Sequence, residues 1–212
     1  MRLTTSPFSK GAFFFEKGKT VLLHGRGSYM KIRTMRPADE EIIRAMYRDA
    51  FAGAPWFEKV PEEEVLMRWE SHRGKIGFSC LVAEEAGELM GATWWDTLTI
   101  DALSAERGET LAEFALREGT KAERIIWIRE TVVFQRFQGR GIARMLKAAS
   151  LEVISAEAKS LILTRMRDDN MGILHVAQRF GFKRTGIRMP SKSNPDVWHE
   201  YWYLNIMETN NE

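Results

Sequence analysis

Val132-Val133-Phe134-Gln135-Arg136-Phe137-Gln138-Gly139-Arg140-Gly141-Ile142-Ala143-Arg144-Met145-Leu146 is the stretch on which the reading of this chain turns. An apolar run ends at Phe134, glycines follow at 139 and 141, and an amphipathic segment begins at once. Its Ile142, Leu146, Ala149 and Val153 share one helical face. The pattern predicts a strand over 125–134, a loop over 138–141 and a helix over 142–158. Glycines lack a Cβ, so a ligand can approach the backbone closely there. The first turn of a helix carries unpaired N–H groups and the positive end of the dipole. Together they suit an anion such as a pyrophosphate, and Arg140, Arg144 and Lys147 are near enough in sequence to add charge. The same residues also fit a tight strand–helix turn whose glycines serve packing alone. Two other phosphate motifs are set aside. No Gly-Lys-Ser/Thr follows, which excludes a P-loop. Arg144 stands where a dinucleotide fingerprint needs its third Gly or Ala.

Outward from this stretch, strands alternate with helices. Residues 31–36 read as a strand, and Pro37-Ala38-Asp39 as a helix start. Ile42, Ile43, Met46, Tyr47 and Ala50 form the stripe of that first helix. A second helix follows Pro61, led by Glu62 to Glu64, with Val65, Leu66 and Trp69 as its apolar face. Residues 78–83 and 89–95 read as a hairpin around Glu85-Ala86-Gly87-Glu88, and the Glu84, Glu85 and Glu88 cluster as a solvated turn. The connection over 98–124 is long for a segment without structure; 109–118 supplies a helix, and the insertion is expected to shape an acceptor pocket. A strand over 161–164, a helix over 170–180 ended by Gly181, and strands over 182–187 and 197–206 complete the order. This predicts an α/β (α+β) fold with a mixed sheet and helices on its faces. Residues 1–29 read as an N-terminal extension, a β-hairpin of 12–15 with 20–23, appended to a single domain over 30–212.

The chain has 212 residues, 44% hydrophobic and 28% charged, which excludes a disordered chain. With 31 Lys and Arg against 29 Asp and Glu the net charge is +2, too balanced for a nucleic-acid binder by bulk electrostatics. Cys80 is the single cysteine and reads as a small buried hydrophobe, so no internal disulfide forms and a cytoplasmic location fits. No apolar run approaches a membrane span, no signal-peptide pattern is present and no metal-ligand spacing occurs.

Gln138-Gly139-Arg140-Gly141-Ile142-Ala143 resembles the Gln/Arg-x-x-Gly-x-Gly/Ala signature of the GNAT family of N-acetyltransferases. Asn170, with Gly181-Phe182 further on, is similar to that family's Asn-x-x-Ala…Gly-Phe motif. The resemblance runs from residue 30 to about residue 207. It implies the acyl-CoA N-acyltransferase fold, with a mixed, mostly antiparallel sheet and helices on both faces. It implies transfer of the acetyl group of acetyl-CoA to a primary amine, small molecule or protein terminus, by direct attack in a ternary complex. No metal is implied, and a homodimer is common in the family. By position the resemblance assigns Thr131, Val132 and Val133 to the pantetheine arm, held where their strand splays from its neighbour. It assigns Gln138, Gly139, Arg140, Gly141, Ile142, Ala143 and Arg144 to the pyrophosphate loop, and Asn170 to the cofactor arm. A backbone N–H near Val133 is implied for the developing oxyanion.

The chain departs from the family at its acid–base positions. Where many members place a tyrosine after the asparagine, Ala177 stands. Trp127 and Arg165 stand where other members carry a glutamate base. The replacement candidates are Glu130 as base, against a paired strand carboxylate; His175, against a helix surface residue; and Tyr201 or Tyr203 as acid, against packing roles. Trp56, in Ala54-Pro55-Trp56-Phe57-Glu58, is a candidate wall of the acceptor pocket or a core plug. The competing reading is an acetyl-CoA-binding sensor or scaffold without catalysis.

Overall fold

The computed structural model describes residues 21–25, 28–119, 122–158, 160–191 and 194–206. They fall into two compact units interleaved along the chain. The first takes the residues up to Gly74, Phe78–Trp94 and Glu130–Glu152; the second takes Lys75–Gly77, Trp95–Arg129 and the residues from Val153 on.

In the first unit, β1 (Val21–Gly25) pairs antiparallel with β2 (Ser28–Thr34), in register Val21↔Ile32. The next neighbour of β2 is β3 (Ser79–Glu85), also antiparallel. The described part of the leader is therefore sheet edge, paired with 28–32; the expected 12–15 arm lies outside the described residues. A single 3-10 turn, Pro37–Asp39, leads into α1 (Glu40–Ala52), and α2 (Glu62–Arg73) follows Pro61 with three glutamates in its first turn. Ala86 and Gly87 take φ of 49° and 85° at the tip of the hairpin from β3 into β4 (Glu88–Leu98). Two left-handed residues match the twist of a tight hairpin. The strand β5 (Arg124–Val133) ends here, and α5 (Ile142–Glu157) starts here.

One core joins Ile43, Met46, Tyr47 and Phe51 of α1 and Val65 and Trp69 of α2 to Val82, Ala92, Trp94 and Val132 of the strands. Cys80 belongs to it, and burial pushes its thiol up. Ile42, expected in the α1 stripe, is exposed instead, because Ile43 takes the buried position beside it. Gly91 faces the other way from Ala92. A Cβ on it would lie 2.8 Å from Ile142 and 3.0 Å from Leu146, so α5 packs on the face of β4 opposite α1 and α2. Helices on both faces of the sheet are thus observed within this unit.

In the second unit, β5 pairs in parallel with β6 (Ser160–Arg167), from Arg124↔Ser160 to Ile128↔Thr164. β6 pairs antiparallel with β8 (Trp198–Ile206), whose other neighbour is β7 (Lys183–Pro190), so the order is β5-β6-β8-β7. The 98–124 segment is two helices, α3 (Ile100–Arg107) and α4 (Glu109–Glu118); only the second was expected. Thr99 caps α3 by accepting from the Ala102 N–H at 3.1 Å, and Gly108, at φ 96°, separates the two. Leu98, Leu103, Leu111, Phe114 and Ala115 cluster with Ile125, Trp127, Leu161, Leu163 and Tyr201, so this segment forms the core of its unit. The last helix, α6 (Met171–Arg179), is capped by Asn170. Beneath α3, the Arg129 guanidinium grips the buried Asp96 with both arms and donates to Glu106 at 2.7 Å, which Lys75 meets at 2.6 Å. Burial raises the Glu106 pKa, but the Arg129 and Lys75 contacts outweigh it and hold the carboxyl at about 2, against an ordinary 4.5.

Two outcomes are expected from this packing. Leu103→Ala, at a fully buried site, lowers unfolding stability by about 2–5 kcal/mol in urea titration; no loss would mean that α3 is not core. A carboxyl held below its ordinary pKa stabilises above the unfolded value and loses that contribution as pH falls through the folded one. Urea midpoints from pH 4.5 to pH 2 should therefore fall more steeply in the wild type than in Glu106→Gln.

Candidate active site

The strand-to-helix stretch is built from local geometry upward. β5 ends at Val133, one residue earlier than expected, and Gln135–Phe137 forms a 3-10 turn that the pattern did not show. Phe137 and Gln138 donate their N–H groups to the Phe134 and Gln135 carbonyls at 2.8 and 3.1 Å. The Gln138 side chain then reaches back to the Val133 carbonyl at 3.3 Å. Gly139 and Gly141 both adopt left-handed backbone, φ 77° and 79°. A Cβ at Gly139 would meet nothing within 4 Å, and at Gly141 only the tip of Arg144, at 4.0 Å. The glycines are therefore required by conformation, and the space above them is open. The first intrahelical bond of α5 runs from the Met145 N–H to the Gly141 carbonyl at 3.1 Å. The N–H groups of Ile142, Ala143 and Arg144 precede it and point along the helix start.

The loop is fastened from three sides. Gln135 donates its N–H to the Asp49 carboxylate at 2.6 Å and its side-chain amide to the Asp49 carbonyl at 2.7 Å. Arg136 pairs with Glu88 and Arg140 with Glu85, each at 2.8 Å. Arg136 also lies over the Phe134 and Phe137 rings, 4.4 and 4.6 Å from their centroids. The Glu85 and Glu88 turn, expected to be merely solvated, supplies the counter-charge of the loop. Glu84 accepts from Arg33 at 2.7 Å. Lys147, expected near a phosphate, is buried on the inner side of α5, and burial lowers its pKa to about 8. Arg144 is exposed.

Thr131, Val132 and Val133 run into this loop. Val132 and Val133 are buried, and the Thr131 hydroxyl lies 2.9 Å from that of Thr93. On the same unit, Tyr47 and Arg44 of α1, Arg68, Trp69 and His72 of α2 and Trp94 of β4 surround a small hollow of about 10 Å³, over Ile43 and Val65. Arg68 donates to the Tyr47 hydroxyl and, at 2.6 Å, to Glu64. Trp94 donates its indole N–H to His72 Nδ1 at 3.1 Å. Glu130, half-buried, stands close enough to Tyr47 and Arg68 to act on both; burial and this carboxylate push the Tyr47 phenol up. Trp56 packs on the Phe51 ring, centroids 4.7 Å apart, and so serves the core, whereas its neighbour Phe57 is exposed.

The remaining predicted site residues lie on the second unit. Asn170 Oδ1 accepts the Ile173 N–H at 3.4 Å and so caps α6. His175 is exposed on α6. Tyr201 is buried, and its hydroxyl donates to the Met189 thioether at 3.1 Å, a packing environment; Tyr203 stacks edge-on against Phe114. His199 is held neutral, its pKa lowered to about 4 by burial and by Arg165 and Arg167. Of the catalytic candidates, only Glu130 shares a unit with the glycine loop. Sequence reading did not bring Arg44, Tyr47, Arg68 and His72 together around this hollow. The signal was present: Val65, Arg68, Trp69 and His72 fall at i, i+3, i+4 and i+7, which puts two polar side chains on the inner stripe of α2.

Among the described residues, no group of three His, Cys, Asp or Glu is placed to hold a metal, and no helix is long and apolar enough to cross a membrane. Comparison with known proteins places this architecture. A mycothiol acetyltransferase of Gordonia bronchialis is 31% identical over 123 residues, 56% of this chain and 37% of that protein. The chain thus spans little more than a third of the length of the curated relative it matches. Among solved structures, the ribosomal-protein-S18-alanine N-acetyltransferase of Escherichia coli superposes with a TM-score of 0.59 at 12% identity, over 86% of this chain and 97% of that one. A phosphinothricin acetyltransferase of Sinorhizobium meliloti in complex with AcCoA gives 0.60 at 16%, over 86% and 91%. A spermidine N-acetyltransferase of Vibrio cholerae in complex with CoA and spermine gives 0.59 at 14%, over 84% and 95%. At these identities the likeness is one of fold. The Acetyltransferase (GNAT) family model matches residues 41–182, well over half of the chain, and the chain accordingly belongs to that family.

Proposed function

We propose that this protein is an N-acetyltransferase that moves the acetyl group of acetyl-CoA to a primary amine, small molecule or protein terminus, by direct attack. The observation that carries the reading is the pair of left-handed glycines with open space above them, placed just before the free N–H groups of α5. That cradle fits a pyrophosphate. The N–H groups of 139–144 hold it, Gln138 closes the loop, and Arg144 adds charge from the surface. The parallel register of β5 with β6 ends at Ile128, so the backbone of Thr131, Val132 and Val133 continues beyond it, which suits the pantetheine arm. Asn170 is assigned to the cofactor arm as well. Acetyl-CoA, when bound, supplies the activated thioester carbonyl.

The chain's own residues then have separate tasks. Glu130 takes a proton from the acceptor ammonium, directly or through one water, so that the nitrogen lone pair is free. Arg68 balances that carboxylate beside Tyr47. A backbone N–H near Val133 faces the developing oxyanion.

Calorimetry with acetyl-CoA, followed by thiol release with a panel of amines, tests this reading. Binding with turnover supports it, and binding without turnover on any amine favours a sensor. Gly141→Glu places a carboxylate in the pyrophosphate space and a side chain on left-handed backbone, so acetyl-CoA binding is lost while a cooperative melt is retained; unchanged binding would overturn the assignment. Glu130→Gln lowers kcat/KM by roughly 10²–10⁴ and removes the acidic limb of its pH profile; an unaltered profile would remove Glu130 as base.

A further inference from the structure

Strand β7 leaves the regular ladder halfway along its pairing with β8. Arg184 lies opposite Trp202 and Arg188 opposite Glu200, so Thr185, Gly186 and Ile187 together stand against Tyr201 alone. This bulge is fastened. The Thr185 hydroxyl donates to the Tyr201 carbonyl at 3.0 Å and accepts the Ile187 N–H at 3.0 Å. Gly186, between them, takes left-handed backbone at φ 83°, and a Cβ on it would meet nothing within 4 Å. A bulge bends its strand and re-aims the side chains around it. Here it leaves a hollow of about 360 Å³, lined by Arg184, Gly186, Ile187, Arg188, Glu200 and Tyr201. That is room for a small molecule.

The charged groups of the hollow have bonding capacity to spare. Glu200 is mostly buried, and Arg184 meets its Oε1 at 3.3 Å, while Oε2 has no hydrogen-bond partner. An ionised carboxylate accepts about four bonds, and one left short of donors away from water is unfavourable. Arg188 is its neighbour directly across the ladder, a position where opposite charges ordinarily pair. Yet among the described residues Arg188 makes no ion pair; it lies over the Trp198 ring, 4.7 Å from the centroid. Stacking uses the face of a guanidinium and leaves its N–H edge for a carboxylate. A lone anion in the hollow would meet Glu200, and a lone cation would meet two arginines. A molecule with one charge of each sign, close together, satisfies both neighbours.

We infer that this hollow binds a free α-amino acid, with its ammonium on Glu200, its carboxylate on Arg188 and an aliphatic side chain against Ile187. Binding of this kind needs no acetyl-CoA. The test is a ¹H–¹⁵N NMR titration of the whole chain at neutral pH, following the Gly186 and Ile187 amides. The probes are L-leucine, leucinamide, which lacks the carboxylate, and N-acetyl-L-leucine, which lacks the ammonium. L-leucine is expected to shift both amides saturably, with each analogue at least tenfold weaker. Glu200→Gln is expected to cut the preference over N-acetyl-L-leucine at least tenfold, and Arg188→Gln the preference over leucinamide, with a thermal melt confirming the fold of each variant. No saturable shift with L-leucine, an analogue that binds as well, or a preference unchanged in either variant would overturn the inference.

Discussion

The start of α5 is held in place by a missing side chain. Gly91 lets β4 come within a Cβ's breadth of Ile142, Leu146 and the Val132 carbonyl, and even one methyl there would sit 2.8 Å from Ile142. Close packing of this kind is stiff, because a core has no slack to absorb a displaced turn. The helix start cannot slide along the strand. The left-handed glycines then have a fixed gap to bridge between Val133 and Ile142. Free N–H groups form an anion site only if they converge, and convergence is a property of this contact more than of the loop's own sequence.

The loop's charges act less directly than their positions in the chain suggest. Arg136 and Arg140 are committed to Glu88 and Glu85, carboxylates 48 and 55 residues distant in sequence. Those pairs are partly exposed and contribute little to stability one by one. Their effect is to tie the hairpin tip to the loop and to leave the loop nearly neutral. In the proposed reading an arriving anion meets backbone dipoles first and the exposed Arg144 guanidinium second. Glu130, the proposed base, lies on the other face of β5 from Thr131.

Much of this was legible in the residues. The switch from strand to helix at Ile142 is a change of hydrophobic period reinforced by glycine, a local signal, and it was read to within a residue. α4 was readable because Leu111, Phe114 and Ala115 repeat on one face, whereas α3 has only Leu103 fully inward and its start depends on one threonine. Lys147 shows the limit of reasoning by proximity in sequence. Three residues after Arg144, the helix has turned it inward among Leu146, Ala148 and Ala149. The polar contacts between α1, α2 and β4 were invisible for a different reason. The partners of Arg68 and Trp94 are Tyr47 and His72, each more than 20 residues away, and nothing local marks such pairs. Only the intrusion of Arg68 and His72 into an apolar stripe hinted that the stripe faces more than core.

The bond between Trp94 and His72 settles a matter of proton bookkeeping. An indole nitrogen only donates, so His72 Nδ1 must be its acceptor and carries no hydrogen in that bond. The imidazole is therefore the neutral Nε2–H tautomer, with its remaining proton fixed on the far side of the ring. In this arrangement His72 is a fixed acceptor toward the tryptophan. The tautomer thus turns the histidine into a directional anchor that fixes the plane of the Trp94 indole between α2 and β4.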